Sequence, residues 1–398
     1  MRITILKTIK AAESVNIGHP DKTCDVIADA FLDAALTKDP QAQMAVECAI
    51  KDDLLMIYGE ATTKAKVDYI GIATEILSGL GYKKPFRILQ QISEQSPDIN
   101  AAVIKDELRA GDQGIVYGYA TNETPEYLPL PLVIAHKLMR RYEAWRKGRD
   151  DFFADAKSQV SIEYDGNKPV GIAAILVSAS HAESLENGEI RNFISEQVIT
   201  PVLCEYAHLL TDSTQLIINP SGKFTVWGSF SDSGCVGRKT QVDAYGGLAR
   251  HGGGAFSSKS ATKMDRSGAY YARYSAKNVV AAGLAERCEI GVSYGIGLSE
   301  PLTIEIDCFG TEAGTLKEVY DYVVKNFDFT PANIIKELNL LHPIYKDTAC
   351  YGHFGRDEFS WEHIKKDDEA EGAAGVKVVE KTSKNSRCSP RPIKSSAA

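Results

Sequence analysis

Apolar residues recur every four positions in "GHPDKTCDVIADAFLDAAL", where Ile27, Phe31 and Ala35 share one face of a helix. Pro20 suits its first turn, and Asp21 then sits in that turn as well. Asp25, Asp29 and Asp33 repeat at the same spacing on another face, which reads as a solvated acidic face rather than a metal comb. Further on, "MAVECAI" and "LLMIYGE" flank Lys51-Asp52-Asp53 as a hairpin, and "SQVSIEYDGNKPVGIAAILVS" repeats the pattern around an Asp-Gly turn. Helical stretches follow near residues 189–208, 266–283, 315–326 and 331–341. The pattern is that of a strand-rich mixed protein with helices between hairpins, not of a regular βαβ alternation.

The chain of 398 residues suggests two or three domains. No internal repeat is visible. From about Asp367 apolar periodicity fades into Lys, Ser, Ala and Gly, and "KTSKNSRCSPRPIKSSAA" reads as a disordered or appended tail. The longest apolar run, "VGIAAILVSA" from Val170, is about half of what a bilayer requires, and "MRITILKTIK" lacks the core of a signal peptide. Eight cysteines without C-x-x-C pairs point to reduced thiols and away from a zinc site. These features predict a cytoplasmic protein with no membrane role.

Net charge is −8, which disfavours a nucleic-acid partner. The charge is uneven, however. Between Lys223 and Arg273 eight Lys or Arg stand against three acids. Within that cationic island "GCVGRKT" misses a P-loop by one residue, because Arg238 separates Gly237 from Lys239. No G-x-G-x-x-G follows a strand, so a dinucleotide site is unsupported. In "YGGLARHGGGAFSSKSATKMD" glycines that let a ligand approach the backbone precede Lys259, Lys263 and Asp265, and a polyphosphate needs both fixed cations and an acid to hold magnesium. His19 and Asp21 flank Pro20 at a helix head, where backbone N–H groups favour anions.

Taken in order, "ESVNIGHPDK", "GEATT", "EQSPDIN", "AGDQGIVYGYATNETPEYLPLPLVIAHKL", "DAKSQV", "INPSGKF", "GRKTQVDAYGG", "RHGGGAF" and "VSYGIGLSEP" closely resemble the S-adenosylmethionine synthetases, over roughly residues 8–365. The resemblance implies an α+β fold of three intertwined, similar domains, each a mixed β-sheet covered by helices on one face. The expected parts are 1–12 plus 125–224, 13–98 plus 225–265, and 109–124 plus 266–366, with a mobile active-site loop at 99–108 and the tail at 367–398. It further implies that methionine sulfur attacks C5′ of ATP and that the released triphosphate is cleaved to pyrophosphate and phosphate. Such chemistry asks for alignment and charge stabilisation, not a base.

Carried over by position, the resemblance makes His19, Lys157, Arg238, Lys239 and Lys259 triphosphate contacts, with Lys263 completing the catalytic set. Asp155, Lys223, Phe224, Asp232 and Ala255 complete the ATP site, Phe224 near adenine. Glu60, Gln95, Asp112, Asp232 and Lys263 hold methionine, Asp112 reaching in from a neighbouring subunit. Asp21 and Asp265 each anchor one of two Mg2+ ions, and Glu47 matches a K+ ligand. The implied assembly is a homodimer with shared active sites, or a tetramer of two such dimers. Some positions depart from the pattern: Ile17 replaces the glutamate of "SEGHPDK", Lys223 the arginine of "GRF", and "SSKS" the usual "SGKD"; the stretch 99–108 is also short. The alternatives are a catalytically silent, nucleotide-binding regulatory relative, which would be free to lose His19, Asp21 or Lys263, and an unrelated kinase.

Overall fold

The computed structural model describes residues 8–95 and 108–365. Most of the expected loop at 99–108 and the whole tail lie outside them. Three sheets organise the described chain, each with helices packed on it.

The first sheet has the order β1-β6-β7-β8, from Thr8–Val15, Phe152–Asp165, Lys168–His181 and Gln215–Ile218. Its centre is the long β6–β7 hairpin, closed at Gly166, whose φ of 60° is the left-handed value that a two-residue turn demands. The helix α3 (Leu130–Arg146) covers it through Ile134, Leu138 and Tyr142 against Val160, Ile162 and Ile175. The second sheet, β4-β3-β2-β9, uses Arg87–Ser93, Leu54–Thr62, Gln43–Lys51 and Gly234–Cys235. Helices α1 (Pro20–Leu36) and α2 (Tyr69–Leu80) pack on it. The third, β11-β10-β5, uses Thr303–Asp307, Arg287–Tyr294 and Gly114–Thr121 beneath the helices Met264–Ala281, Leu316–Asn326 and Pro331–Glu337. The first two sheets mix strand directions through the parallel pairs β7–β8 and β3–β4. Where the resemblance implies a mixed sheet in each unit, the three described strands of the third run antiparallel.

The chain weaves between the sheets. β1 precedes α1 yet pairs with β6, β5 crosses to pair with β10, and β9 returns from residue 234 to pair with β2. Both expected hairpins form, the first turning at Asp52, whose φ is 50°.

Several local expectations are corrected. The stretch 189–208 is not one helix but Asn187–Ile194, here α4, followed by a π turn at Ser195–Ile199, a short helix at Thr200–Leu203 and a 3-10 segment. A proline at position 201 removes an N–H donor there, which explains the break. The helix from Pro331 stops at Glu337 and not at residue 341. Helices α2 and α3 escaped the periodicity reading. The first half of the second, residues 130–136, is buried on every side, so its apolar residues do not form one stripe.

The acidic face of α1 is the largest correction. Asp25 and Asp29 are fully buried and Asp33 is half-buried; none forms a solvated stripe. Lys22 donates to Asp25 at 2.7 Å and to Asp243, and Arg266 grips Asp29 with both terminal nitrogens at 2.7 and 2.8 Å. Burial by itself would lower the Lys22 pKa, but Asp243 and Asp25 outweigh it and hold it above the ordinary value.

Candidate active site

The path into α1 assembles the first part of the site. After β1 ends opposite Lys157, the chain runs on along β6: Asn16 N–H donates to Ala156 O at 2.8 Å and Gly18 N–H to Ala154 O at 3.1 Å. That course delivers His19 to the head of α1 within the charge of Lys157. His19 is the N-cap, and its Nδ1 accepts the Asp21 N–H at 3.2 Å, satisfying one of the orphan donors of a helix start. Burial, then Lys157 and Lys239, push the His19 pKa down to about 3. The ring is therefore neutral at physiological pH. With Nδ1 accepting, the proton resides on Nε2.

The "GRK" segment follows β9 and lies across the same helix head. Asp21 accepts the Cys235 N–H at 3.0 Å and the Lys239 ammonium at 2.8 Å, with the Arg238 guanidinium 3.5 Å away. Arg238 remains half exposed. Gly237 turns the segment with φ 75°, and a Cβ there would collide with Ala255 of the "GGGAF" run. Asp155 is buried; Gly228 N–H bonds one of its oxygens at 3.0 Å while the other has no partner. Burial raises its pKa to about 6, partly offset by Gly228 N–H and Lys157. An unpaired buried carboxylate oxygen is expensive and marks a place built to meet a further polar group.

A second group gathers at the head of α5 (Met264–Ala281). Lys259 donates to Asp265 at 2.5 Å, and Lys263 lies 3.7 Å from Glu60 on β3. Gly254 cradles the Asp265 carboxylate so closely that a Cβ there would overlap it. Lys259 is carried to β2 by a bridge to Ala45.

The remaining predicted residues are placed more loosely. Phe224 is half-buried; its carbonyl accepts the His181 N–H at 3.0 Å and its own N–H donates to the His181 ring Nε2 at 3.1 Å. Lys223 is exposed, 3.6 Å from Glu183. Asp232 is exposed and accepts the Ser233 N–H, though its charge is felt at His19. Gln95 is buried and donates its N–H to Thr62. Asp112 is exposed and caps Gln113 N–H. Glu47 sits beside the Tyr58 hydroxyl.

The cationic island resolves into two populations. Arg266 and Arg273 are buried in structural pairs with Asp29 and Glu362, and Arg250 bonds Glu289 at 2.5 Å. Arg238, Lys239, Lys259 and Lys263 remain around the two helix heads. Among the described residues no group of three or more His, Cys, Asp or Glu is placed to hold a metal. Single carboxylates flanked by lysines do fit Mg2+, which takes one or two carboxylates and completes its shell from phosphate and water. Glu47 with Tyr58 offers the hard oxygens that suit K+. Sequence reasoning missed the supporting residues Lys22, Asp25, Asp29 and Asp243; the signal available was an aspartate at every fourth position, with no indication of what covered it.

A buried histidine at one helix N-cap and two lysine-carboxylate pairs at helix heads thus stand on a framework of three interwoven sheets. Family models for the N-terminal, central and C-terminal domains of S-adenosylmethionine synthetase match residues 7–100, 107–224 and 226–363. The chain is 46% identical over 378 residues to an S-adenosylmethionine synthase of Oenococcus oeni, spanning 90% of this chain and 97% of that one. It is 43% identical over 409 residues to an S-adenosylmethionine synthase of Thermosynechococcus vestitus, spanning 93% and 98%. The chain belongs to the S-adenosylmethionine synthetase family. Its activity is that of a methionine adenosyltransferase.

Proposed function

We propose that the chain makes S-adenosylmethionine by direct attack of the methionine sulfur on ATP C5′. A C–S bond forms, the C5′–O bond breaks, and the electron pair leaves with the triphosphate. The sulfur needs no base, so the residues act by holding charge. His19 Nε2–H donates to the departing oxygen; Lys157, Arg238, Lys239 and Lys259 hold the phosphates. Asp155, with its unpaired oxygen, and Phe224, Asp232, Lys223 and Ala255 hold the nucleoside and flank the phosphates. Lys263, Glu60, Gln95, Asp232 and Asp112 hold methionine, Asp112 from a second subunit. Asp21 and Asp265 would hold Mg2+, which would supply charge neutralisation for the triphosphate, and Glu47 would hold K+ as a further cation. The same cationic groups then favour hydrolysis of triphosphate to pyrophosphate and phosphate. The working form is a cytoplasmic homodimer or a pair of dimers, and the domains follow the discontinuous division given above.

The observation that carries this reading is the buried His19, whose Nδ1 accepts the Asp21 N–H and which lies within the charge of Lys157 and Lys239. Incubation with ATP, methionine, Mg2+ and K+ tests it, following S-adenosylmethionine by mass spectrometry together with phosphate release. Equal yields that collapse in Lys157→Ala and Asp21→Asn support it. Measurable ATP binding without S-adenosylmethionine overturns it.

A further inference from the structure

The aspartates of α1 form a ladder of backbone acceptors, and the geometry points to Asp25 and Asp29 as positioning residues for the two segments that carry the triphosphate-binding cations. This rests on the function proposed above. Asp21, Asp25, Asp29 and Asp33 follow one another at i, i+4 and so share one face of the helix. Each accepts backbone N–H groups from a segment remote in sequence. Asp21 takes Cys235 at 3.0 Å, Asp25 takes Gly237 at 2.9 Å, Asp29 takes Ser258 at 2.9 Å, and Asp33 takes Tyr345 and Lys346 at 2.9 Å each. Gly237 immediately precedes Arg238, and Ser258 immediately precedes Lys259.

The first two rungs match for a physical reason. Four residues of helix rise about 6 Å, and two residues of extended chain span about 6.6 Å. Alternate amides at 235 and 237 therefore meet successive aspartates of the helix. The far end of the segment is tied as well, since Lys22 bonds both Asp25, at 2.7 Å, and Asp243. Arg238 and Lys239 are thus carried on a short span fixed to α1 at both ends.

The two middle carboxylates of the ladder each have a buried cation behind them: Lys22 for Asp25 and Arg266 for Asp29. For Asp25, burial pushes the carboxyl up and Lys22 opposes that push. The family chemistry is borne by the cations; the ladder sets where they stand.

Asp25 offers the cleaner test, because Asn keeps an acceptor oxygen for Gly237 N–H and gives up only the one that Lys22 uses, Lys22 retaining Asp243, whereas Ala leaves Gly237 N–H unbonded. Binding of inorganic tripolyphosphate with Mg2+ is measured by calorimetry, beside the KM for methionine and hydrogen exchange of the peptide covering 235–239. Asp25→Ala is expected to weaken tripolyphosphate about tenfold or more, the loss of one hydrogen bond to a charged group. It should leave the methionine KM within about twofold and speed exchange at Gly237, while Asp25→Asn stays within about threefold of wild type. If Asp25→Ala does not fold, Asp25→Ser, too short to reach Gly237, is judged by the same criteria. A folded Ala or Ser variant with wild-type tripolyphosphate affinity overturns the inference, as does an Asn variant that is equally weak. Failure of the wild type to bind tripolyphosphate sinks instead the function on which it rests; the exchange contrast between Ala and Asn then decides whether Asp25 positions the segment.

Discussion

The heads of α1 and α5 are built to one local plan. Each begins with a basic side chain at the N-cap (His19, Lys263) and an aspartate at the second helical position (Asp21, Asp265). A cation follows at the third (Lys22, Arg266), fully buried against an aspartate of α1. Each second-position aspartate meets a lysine from a distant loop, Lys239 at 2.8 Å and Lys259 at 2.5 Å. An acid near a helix start is favoured by the helix dipole, and the lysine beside it offsets its charge.

The heads differ in closure. The Asp21 side chain is 2% exposed, takes a backbone N–H and lies beside a histidine that caps its helix. The Asp265 side chain is 26% exposed, and Lys263 has no acceptor with which to cap. The first head is pinned in place, while the second has a glycine cradle and room. A site that must close on a substrate and release a product gains from having one fixed wall and one adjustable wall.

The largest effect should come from the buried cations. Arg266→Met leaves Asp29 unpaired inside the protein, with an expected loss of about 3–5 kcal/mol. Lys22→Met strands two carboxylates and should lose at least as much. Urea unfolding of both variants reads this out; tolerance of one but not the other would break the equivalence of the two heads. Next come the lysines that meet the second-position acids. Lys239→Ala and Lys259→Ala should each slow S-adenosylmethionine formation by roughly 100-fold to 1000-fold in steady-state assays. A variant at either head that keeps near-normal turnover would show that the triphosphate is held by the other alone.

A smaller effect is expected on the approach to the open head. Ser258 holds a φ of 78°, where the resembled pattern has glycine, and its buried hydroxyl lacks a partner. Ser258→Gly should therefore stabilise by about 1 kcal/mol, relief of left-handed strain outweighing the added freedom of the unfolded chain. Thermal unfolding measures it, and no gain would mean that the loop is unstrained there. The smallest concerns pH at the closed head. His19 stays neutral in the fold down to about pH 3, whereas an unfolded histidine takes up its proton near 6.5. Wild-type stability should therefore fall relative to His19→Asn as pH drops below 6.5, by under about 1 kcal/mol between pH 7 and 6. A constant gap between the two proteins would place a charged ring at the helix head.

Much of the site was legible in the residues. The head of α1 follows from Pro20 and the Ile27, Phe31, Ala35 repeat, and all three apolar side chains are buried as that face requires. Both hairpins follow from turn chemistry. The coupling of glycines, lysines and one acid in residues 252–265 singled out a stretch that the fold does draw together, Lys259 meeting Asp265 against Gly254. The acidic repeat of α1 was misread because periodicity says which residues share a face but not whether water or protein covers it. Arg266 lies 237 residues from Asp29, and Gly237 lies 212 from Asp25. Charge counting failed in the same way, since it could not separate Arg273, closed around Glu362, from Lys239.

The sequence by itself determined the family, the hairpins, the leading helix and the residue types that charge chemistry needs, because these depend on local spacing and on motifs read in order. Tertiary structure alone decided which cations face the site and which are buried in pairs, that His19 is neutral, and that four aspartates of one helix hold three distant segments. Those outcomes depend on desolvation and on contacts hundreds of residues apart, and the energy of a charge is set by what surrounds it once the chain has folded.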